Sequence, residues 1–140
     1  VESAAVAGEV GDGLMPFLTP RSFLPQLVAA ARTSAARHDR LLDECPCILS
    51  IPTFVSDDPA AARSAARYNL AFFALLPNYR RQWRRAGYGA AMDAIRALGK
   101  SANRAAIAPL IPDALVDDVC VFGTAAECRA QLEAFRAAGA

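Results

Sequence analysis

The sequence predicts an α/β fold, mostly helical, with two parallel strands. Three observations predict it. Ala7-Gly8-Glu9-Val10-Gly11-Asp12-Gly13-Leu14-Met15-Pro16 reads as the end of a helix, a tight turn and a short apolar strand. Cys47-Ile48-Leu49-Ser50-Ile51-Pro52-Thr53-Phe54-Val55 is apolar on both faces, as in a parallel strand covered by helices. A helical pattern follows each run, and strands joined through helices imply a parallel sheet with right-handed crossovers. Val1 reads as already helical, and the helix stop at Ala138-Gly139-Ala140 should hand over to another strand. The 140 residues are therefore expected to form one partial domain, 1–140, inside a larger α/β protein. Two strands with open edges are too few for a stable sheet, which points the same way.

The elements follow from local signals. Residues 1–10 read as a helix tail that carries Ala4, Ala5, Ala7 and Gly8 on its surface. Gly11-Asp12-Gly13 turns the chain, with Asp12 tying the turn through its own backbone. Leu14 to Leu18 is the first strand. Thr19-Pro20 then starts a helix, with Thr at the N-cap and Pro at the first helical position. Leu24, Leu27, Val28 and Ala31 recur along it at helical spacing, and Arg32, Arg37 and Asp39 mark its polar side. Pro52 cannot donate to a ladder, so it belongs at a bulge, near the strand end, or facing away from a partner.

Asp57-Asp58-Pro59 opens the next helix, whose buried stripe is expected at Ala62, Ala66, Leu70, Phe73 and Leu76. Pro77-Asn78 interrupts it, and a further helix carries Tyr79, Trp83 and Ala86 up to Gly87. Ala90 to Leu98, Ala102 to Ala108 and Pro112 to Asp117 read as shorter helices, so a helical insertion occupies about residues 60–118. Val119 to Phe122 reads as an apolar link. Thr124-Ala125-Ala126-Glu127 is a capping box. Cys128, Leu132 and Phe135 give the last helix its core stripe, and Gly139 suits its stop.

Composition narrows the function. The chain is 54% hydrophobic and 21% charged, so it is globular rather than disordered. A formal net charge of +1 gives no reason to expect nucleic acid or an anionic membrane as partner. No apolar run is long enough to span a bilayer, and no signal peptide is visible at Val1. Lys100 is the sole lysine among many arginines, and Ala is in excess, the bias of a GC-rich genome. Cys45-Pro46-Cys47 has one residue between its thiols, where redox and zinc motifs need two. Cys120, Cys128 and the single His38 lie apart from it, so buried free thiols in a cytoplasmic protein and no metal site are expected.

Four stretches taken together resemble the C-terminal half of the luciferase-like monooxygenases, enzymes that use flavin or deazaflavin (coenzyme F-420). A-G-E-V-G-D-G-L-M-P is similar to the family's turn into the sixth barrel strand, and I-P-T-F-V-S-D-D-P-A-A-A-R to its seventh strand and the following helix start. A-R-Y-N-L-A-F-F-A-L-L-P-N-Y-R is similar to its helical insertion, and V-F-G-T-A-A-E-C-R-A-Q-L-E-A-F-R-A-A-G to the helix before its eighth strand. The resemblance implies a TIM (β/α)₈ barrel of which this chain supplies strands six and seven. It implies an oxidoreductase: either a monooxygenase whose reduced flavin (FMN) activates dioxygen, or a deazaflavin enzyme passing hydride to or from a small organic substrate. The family's phosphate-holding loop would precede Val1, so the chain by itself is expected to be inactive.

In such a barrel the active site lies at the C-terminal ends of the strands. The resemblance then points to Met15, Pro16 and Phe17 as lining for cofactor or substrate, and to Thr19 and Arg21 as holding a substrate at the next helix start. Asn78, Tyr79 and Arg80, after the break in the insertion, are placed to close over the pocket. Each group has a plainer reading: barrel core for the first three, an N-cap and a solvated Arg for the next two, a helix restart for the last three. Arg80, Arg81, Arg84 and Arg85 form a basic cluster that suits an anionic cofactor tail or simply a solvated face. His38 reads as a surface residue. Catalytic residues are not identifiable, as neither a nucleophile–base pair nor paired carboxylates emerge. A different class stays open: a non-catalytic helical module acting through self-association or partner binding, and homo-oligomerisation through uncovered strands is expected in either case.

Overall fold

A computed structural model describes residues 2–40 and 46–140. Val1 and Cys45, on which the readings of the opening helix and of the Cys45-Pro46-Cys47 run partly rest, lie outside the described residues. The chain forms two compact units, Val1–Ser50 with Glu133–Ala140, and Ile51–Leu132.

In the first unit, α1 (Glu2–Val10) packs on α2 (Leu24–Arg37) through small residues. Ala4 and Gly8, two of the small residues on the face of α1, are buried there. The helices come so close that a Cβ on Gly8 would lie 2.0 Å from the Ala31 carbonyl oxygen. Arg40 donates to the carbonyl oxygens of Gly8 and Gly11 at 3.0 and 2.6 Å. It thereby satisfies acceptors at the C-terminal end of α1 that the helix itself leaves open. Residues 14–17 form no regular strand: two isolated parallel bridges, Leu14 with Cys47 and Phe17 with Ser50, replace it. Nor does Thr19 cap a helix. Pro20 precedes a 3₁₀ turn (Arg21–Phe23), and α2 begins at Leu24 with Phe23 at its N-cap. Leu24, Ala31, Ala35 and Phe135 are buried.

In the second unit, β1 (Thr53–Val55) pairs in parallel with β2 (Val121–Gly123), register Thr53 to Val121. The sequence read Val119–Phe122 as a link, but pairing with β1 makes a strand of its end. Pro52 sits one residue before β1 and contributes only its carbonyl, which accepts from the Val121 amide at 2.9 Å. The Gln131 side chain bonds the Phe122 amide and carbonyl at 3.2 and 2.7 Å, occupying backbone groups that a bare edge would present to another chain.

Between the strands run α3 (Pro59–Phe73), α4 (Pro77–Trp83), a π-helical turn (Arg84–Tyr88), α5 (Gly89–Ala97), α6 (Arg104–Ile107) and α7 (Asp113–Val119). Asp58 caps α3 by accepting from the Ala60 and Ala61 amides. Its buried stripe is Ala62, Ala66, Leu70 and Ala71, whereas Leu76 is exposed. Arg63 pairs with Asp117 at 2.8 Å and covers the Phe122 ring, and Arg67 pairs with Asp113, so α3 is held to α7 and β2.

Helix α8 (Ala125–Ala137) opens with the expected capping box: the Thr124 amide donates to Glu127 Oε2 at 2.7 Å and the Glu127 amide to Thr124 Oγ1 at 3.3 Å. Cys128 and Phe135 are buried, but Leu132 is exposed. The donors from Thr124 hold the Glu127 carboxyl below its ordinary value. A carboxylate with a depressed folded-state pKa stabilises above its unfolded-state pKa, and that contribution is lost as the pH falls through the folded value. We expect an NMR titration to place Glu127 below 4.5, its ordinary value, and Thr124→Ala, which keeps the amide donor and removes only the hydroxyl donor, to bring it part of the way back. An unchanged midpoint in the variant would mean that the hydroxyl bond does not contribute to it.

Candidate active site

Two sets of side chains were expected to bind ligand, and each belongs to a different unit. In the first unit the backbone bonds that hold the segment from Leu14 to Thr19 include Leu14 amide to Pro46 carbonyl and Ile48 amide to Leu14 carbonyl, both 2.8 Å. Beyond these, Met15 is 75% exposed and Phe17 37% exposed, with Pro16 half-buried. Met15 and Phe17 therefore present uncovered apolar surface before the segment's buried end.

Immediately after it, Leu18 has φ 52°, left-handed backbone that a branched side chain rarely takes, yet its side chain is buried. Such a conformation costs about 1–3 kcal/mol and persists only where the surroundings impose it. Sequence reading missed Leu18, because nothing in an apolar run marks a positive φ. Thr19 is buried, and the Arg21 guanidinium lies 5.5 Å from the Phe135 ring centre. Arg21 is thus half-buried against an aromatic face rather than fully solvated.

In the second unit Asn78 is exposed at the start of α4. Tyr79 meets Phe73 edge-on at 5.2 Å and Trp83 at 6.1 Å. Arg80 donates to the Ala74 and Leu75 carbonyls at 2.6 and 2.8 Å, closing the end of α3. Its neighbours are different. Arg81, Arg84 and Arg96 line a cleft of about 140 Å³ with Asp93, Pro77 and Met92, and Arg80 completes the wall. Arg84 forms a two-pronged pair with Asp93, one bond at 2.8 Å, across the bend where Gly87 takes φ 102°. No helical spacing pairs residues nine apart, so only the bend could reveal this pair.

The remaining chemistry is plain. Among the described residues no group of three His, Cys, Asp or Glu is arranged for a metal. His38 is exposed, with Nδ1 2.9 Å from the Ser34 carbonyl and Nε2 3.6 Å from Glu9. Burial pushes the Cys120 thiol up to about 12, so it is no thiolate nucleophile near neutral pH. Cys128 is buried and Cys47 half-buried, all three as free thiols. No helix among the described residues is long and apolar enough to cross a membrane.

Comparison with known proteins agrees with this architecture. The family model of the luciferase-like monooxygenases matches residues 1–140. A Mycobacterium tuberculosis protein whose name provisionally assigns it coenzyme F-420-dependent oxidoreductase activity is 30% identical over 151 residues, covering 99% of this chain and 42% of that protein. Two solved structures share the fold. The coenzyme F-420-dependent tetrahydromethanopterin reductase of Methanopyrus kandleri superposes with TM-score 0.76 at 16% identity, over 97% of this chain and 39% of its own. An F-420-dependent secondary alcohol dehydrogenase, in complex with an F-420–acetone adduct, superposes with TM-score 0.67 at 19% identity, over 99% and 38%. The chain thus spans about two fifths of the proteins it matches, and its fold is part of a TIM barrel.

Proposed function

The chain belongs to the luciferase-like monooxygenase family, and from that premise we propose that it is part of an oxidoreductase using coenzyme F-420 on a small organic substrate. The observation that carries this reading is the 30% identity, along 99% of the chain, to a protein named for F-420. That relative's name also favours the deazaflavin over FMN.

The residues fit the coenzyme in one respect. A deazaflavin ring is flat with apolar faces, and Met15 and Phe17 offer uncovered apolar surface at the end of the bridged segment. When bound, the coenzyme supplies the hydride chemistry. The chain's own share is binding and orientation. Phe17 and Met15 would cover the ring and exclude water, while buried Leu18 and Thr19 fix the end of the segment that carries them. Arg21 is proposed as a further contact of the first unit, and Asn78, Tyr79 and Arg80 of the insertion, taken by themselves, as ligand contacts of the second. For Arg80 that role competes with its bonds to the end of α3.

The test is deazaflavin binding to the intact protein, followed by fluorescence, beside FMN. We expect F-420 to bind, FMN to bind more weakly, and Phe17→Ala to weaken F-420 by up to about tenfold, the worth of one aromatic contact. Binding of FMN alone would overturn the coenzyme assignment. Binding of neither, with a dimer in sedimentation, would support the self-association reading, for which exposed Tyr68, Phe72 and Leu76 on one side of α3 and its end would be the surface.

A further inference from the structure

We infer that the arginine-lined cleft of the second unit is a binding site for a phosphoryl group, the head of a small anionic molecule. The charge does not balance there: among the described residues, four arginines, Arg80, Arg81, Arg84 and Arg96, line the cleft with a single carboxylate, Asp93. Arg80 is committed to two backbone carbonyls and Arg84 to Asp93. Arg81 and Arg96 line the same hollow, and neither pairs with a carboxylate among the described residues.

A second hollow in the same unit shows the contrast. It holds Arg63 and Arg67, but Asp113 and Asp117 pair with both, so no charge is left over. The whole sequence carries only +1, which makes the excess a local feature rather than a property of the surface at large.

Shape and chemistry agree on the ligand. At about 140 Å³ the cleft is smaller than the ~300–1,000 Å³ that houses a whole small molecule, so it takes a head group while the rest lies outside. Guanidinium forks match the oxygens of a phosphoryl group two at a time. Pro77 and Met92 supply apolar wall beside the charged groups. Asp93 occupies the Arg84 fork, which leaves the Arg81 and Arg96 guanidiniums to meet the ligand. The site lies within residues 77–96 and does not rest on the F-420 reading.

The test is calorimetric titration of the intact protein with inorganic pyrophosphate at low salt. We expect saturable binding that Arg81→Gln and Arg96→Gln each weaken by about tenfold. Arg129→Gln, which removes the same charge from an exposed position on α8, should stay within about twofold. Failure to saturate, or equal weakening by Arg129→Gln, would overturn the site. Equally tight binding of succinate would overturn the phosphoryl assignment. Deazaflavin fluorescence, measured separately on the same variants, keeps this outcome distinct from the fate of the proposed function.

Discussion

Replacing Trp83 with alanine is expected to lower the unfolding free energy by about 3–5 kcal/mol, the largest effect of any single truncation in the second unit. Trp83 is fully buried at the end of α4, directly before the π-helical turn. Its ring continues a run of aromatic contacts from Phe73 through Tyr79. Removing it opens a cavity where the chain changes direction. The turn cannot collapse into that space without shifting Arg84 and the pair it makes with Asp93. Domains of this size are stable by only about 5–15 kcal/mol, so the loss is a large share of the total. Urea unfolding followed by circular dichroism is the right measurement, because Trp83 is the sole tryptophan and its fluorescence disappears with the mutation. Trp83→Phe should recover part of the loss. A loss below about 1 kcal/mol would show that the site repacks and that the indole is not a core anchor.

The second large effect is expected from the smallest possible change, Gly8→Ala. The new methyl carbon would stand 2.0 Å from the Ala31 carbonyl oxygen and 2.8 Å from its carbon, both backbone atoms that cannot swing away. The helices α1 and α2 must separate, and overpacking of this kind costs about 1–3 kcal/mol, sometimes more. Alanine's better helix propensity returns roughly 0.5–1 kcal/mol, so we expect a net loss near ~2 kcal/mol. Gly89→Ala is the matched control. It too is a helical glycine, but its added carbon would meet only the Arg84 side chain, at 3.5 Å, an ordinary contact. That variant should be neutral or slightly stabilising. Hydrogen exchange resolves the two: Gly8→Ala should lose protection in α1 and α2 and leave α3 to α5 unchanged. Equal behaviour of the two variants would mean that α1 and α2 do not meet as closely as described.

These two glycines show where sequence reading reaches its limit. Both stand among alanines in helical segments, and nothing local separates them. The same limit explains the corrections. Thr19 followed by proline carries the local signature of a helix start, yet burial of Leu18 and Thr19 moves the start to Leu24. Leu76 and Leu132 continue apolar stripes by periodicity, but each is exposed because the stripe outruns the surface that covers it. Arg80 reads as one of a row of surface cations. Only the turn after α3 shows that it is occupied with the carbonyls of Ala74 and Leu75.

By itself the sequence determined what depends on neighbours along the chain. It marked the start of α3 at Asp58-Pro59, the capping box at Thr124, the break at Pro77, and the helix stop at Gly139. Four motifs in order also carried the family. These features are legible because a cap, a turn or a periodic face is completed within three or four residues. Tertiary structure alone decided the strand at Val121–Gly123, whose partner Thr53–Val55 lies far back in the chain. It alone decided the strain at Leu18, the contact at Gly8 and the assembly of Arg81, Arg84 and Arg96 around Asp93. Each of those needs groups distant in sequence to meet, and their meeting is governed by packing rather than by local preference.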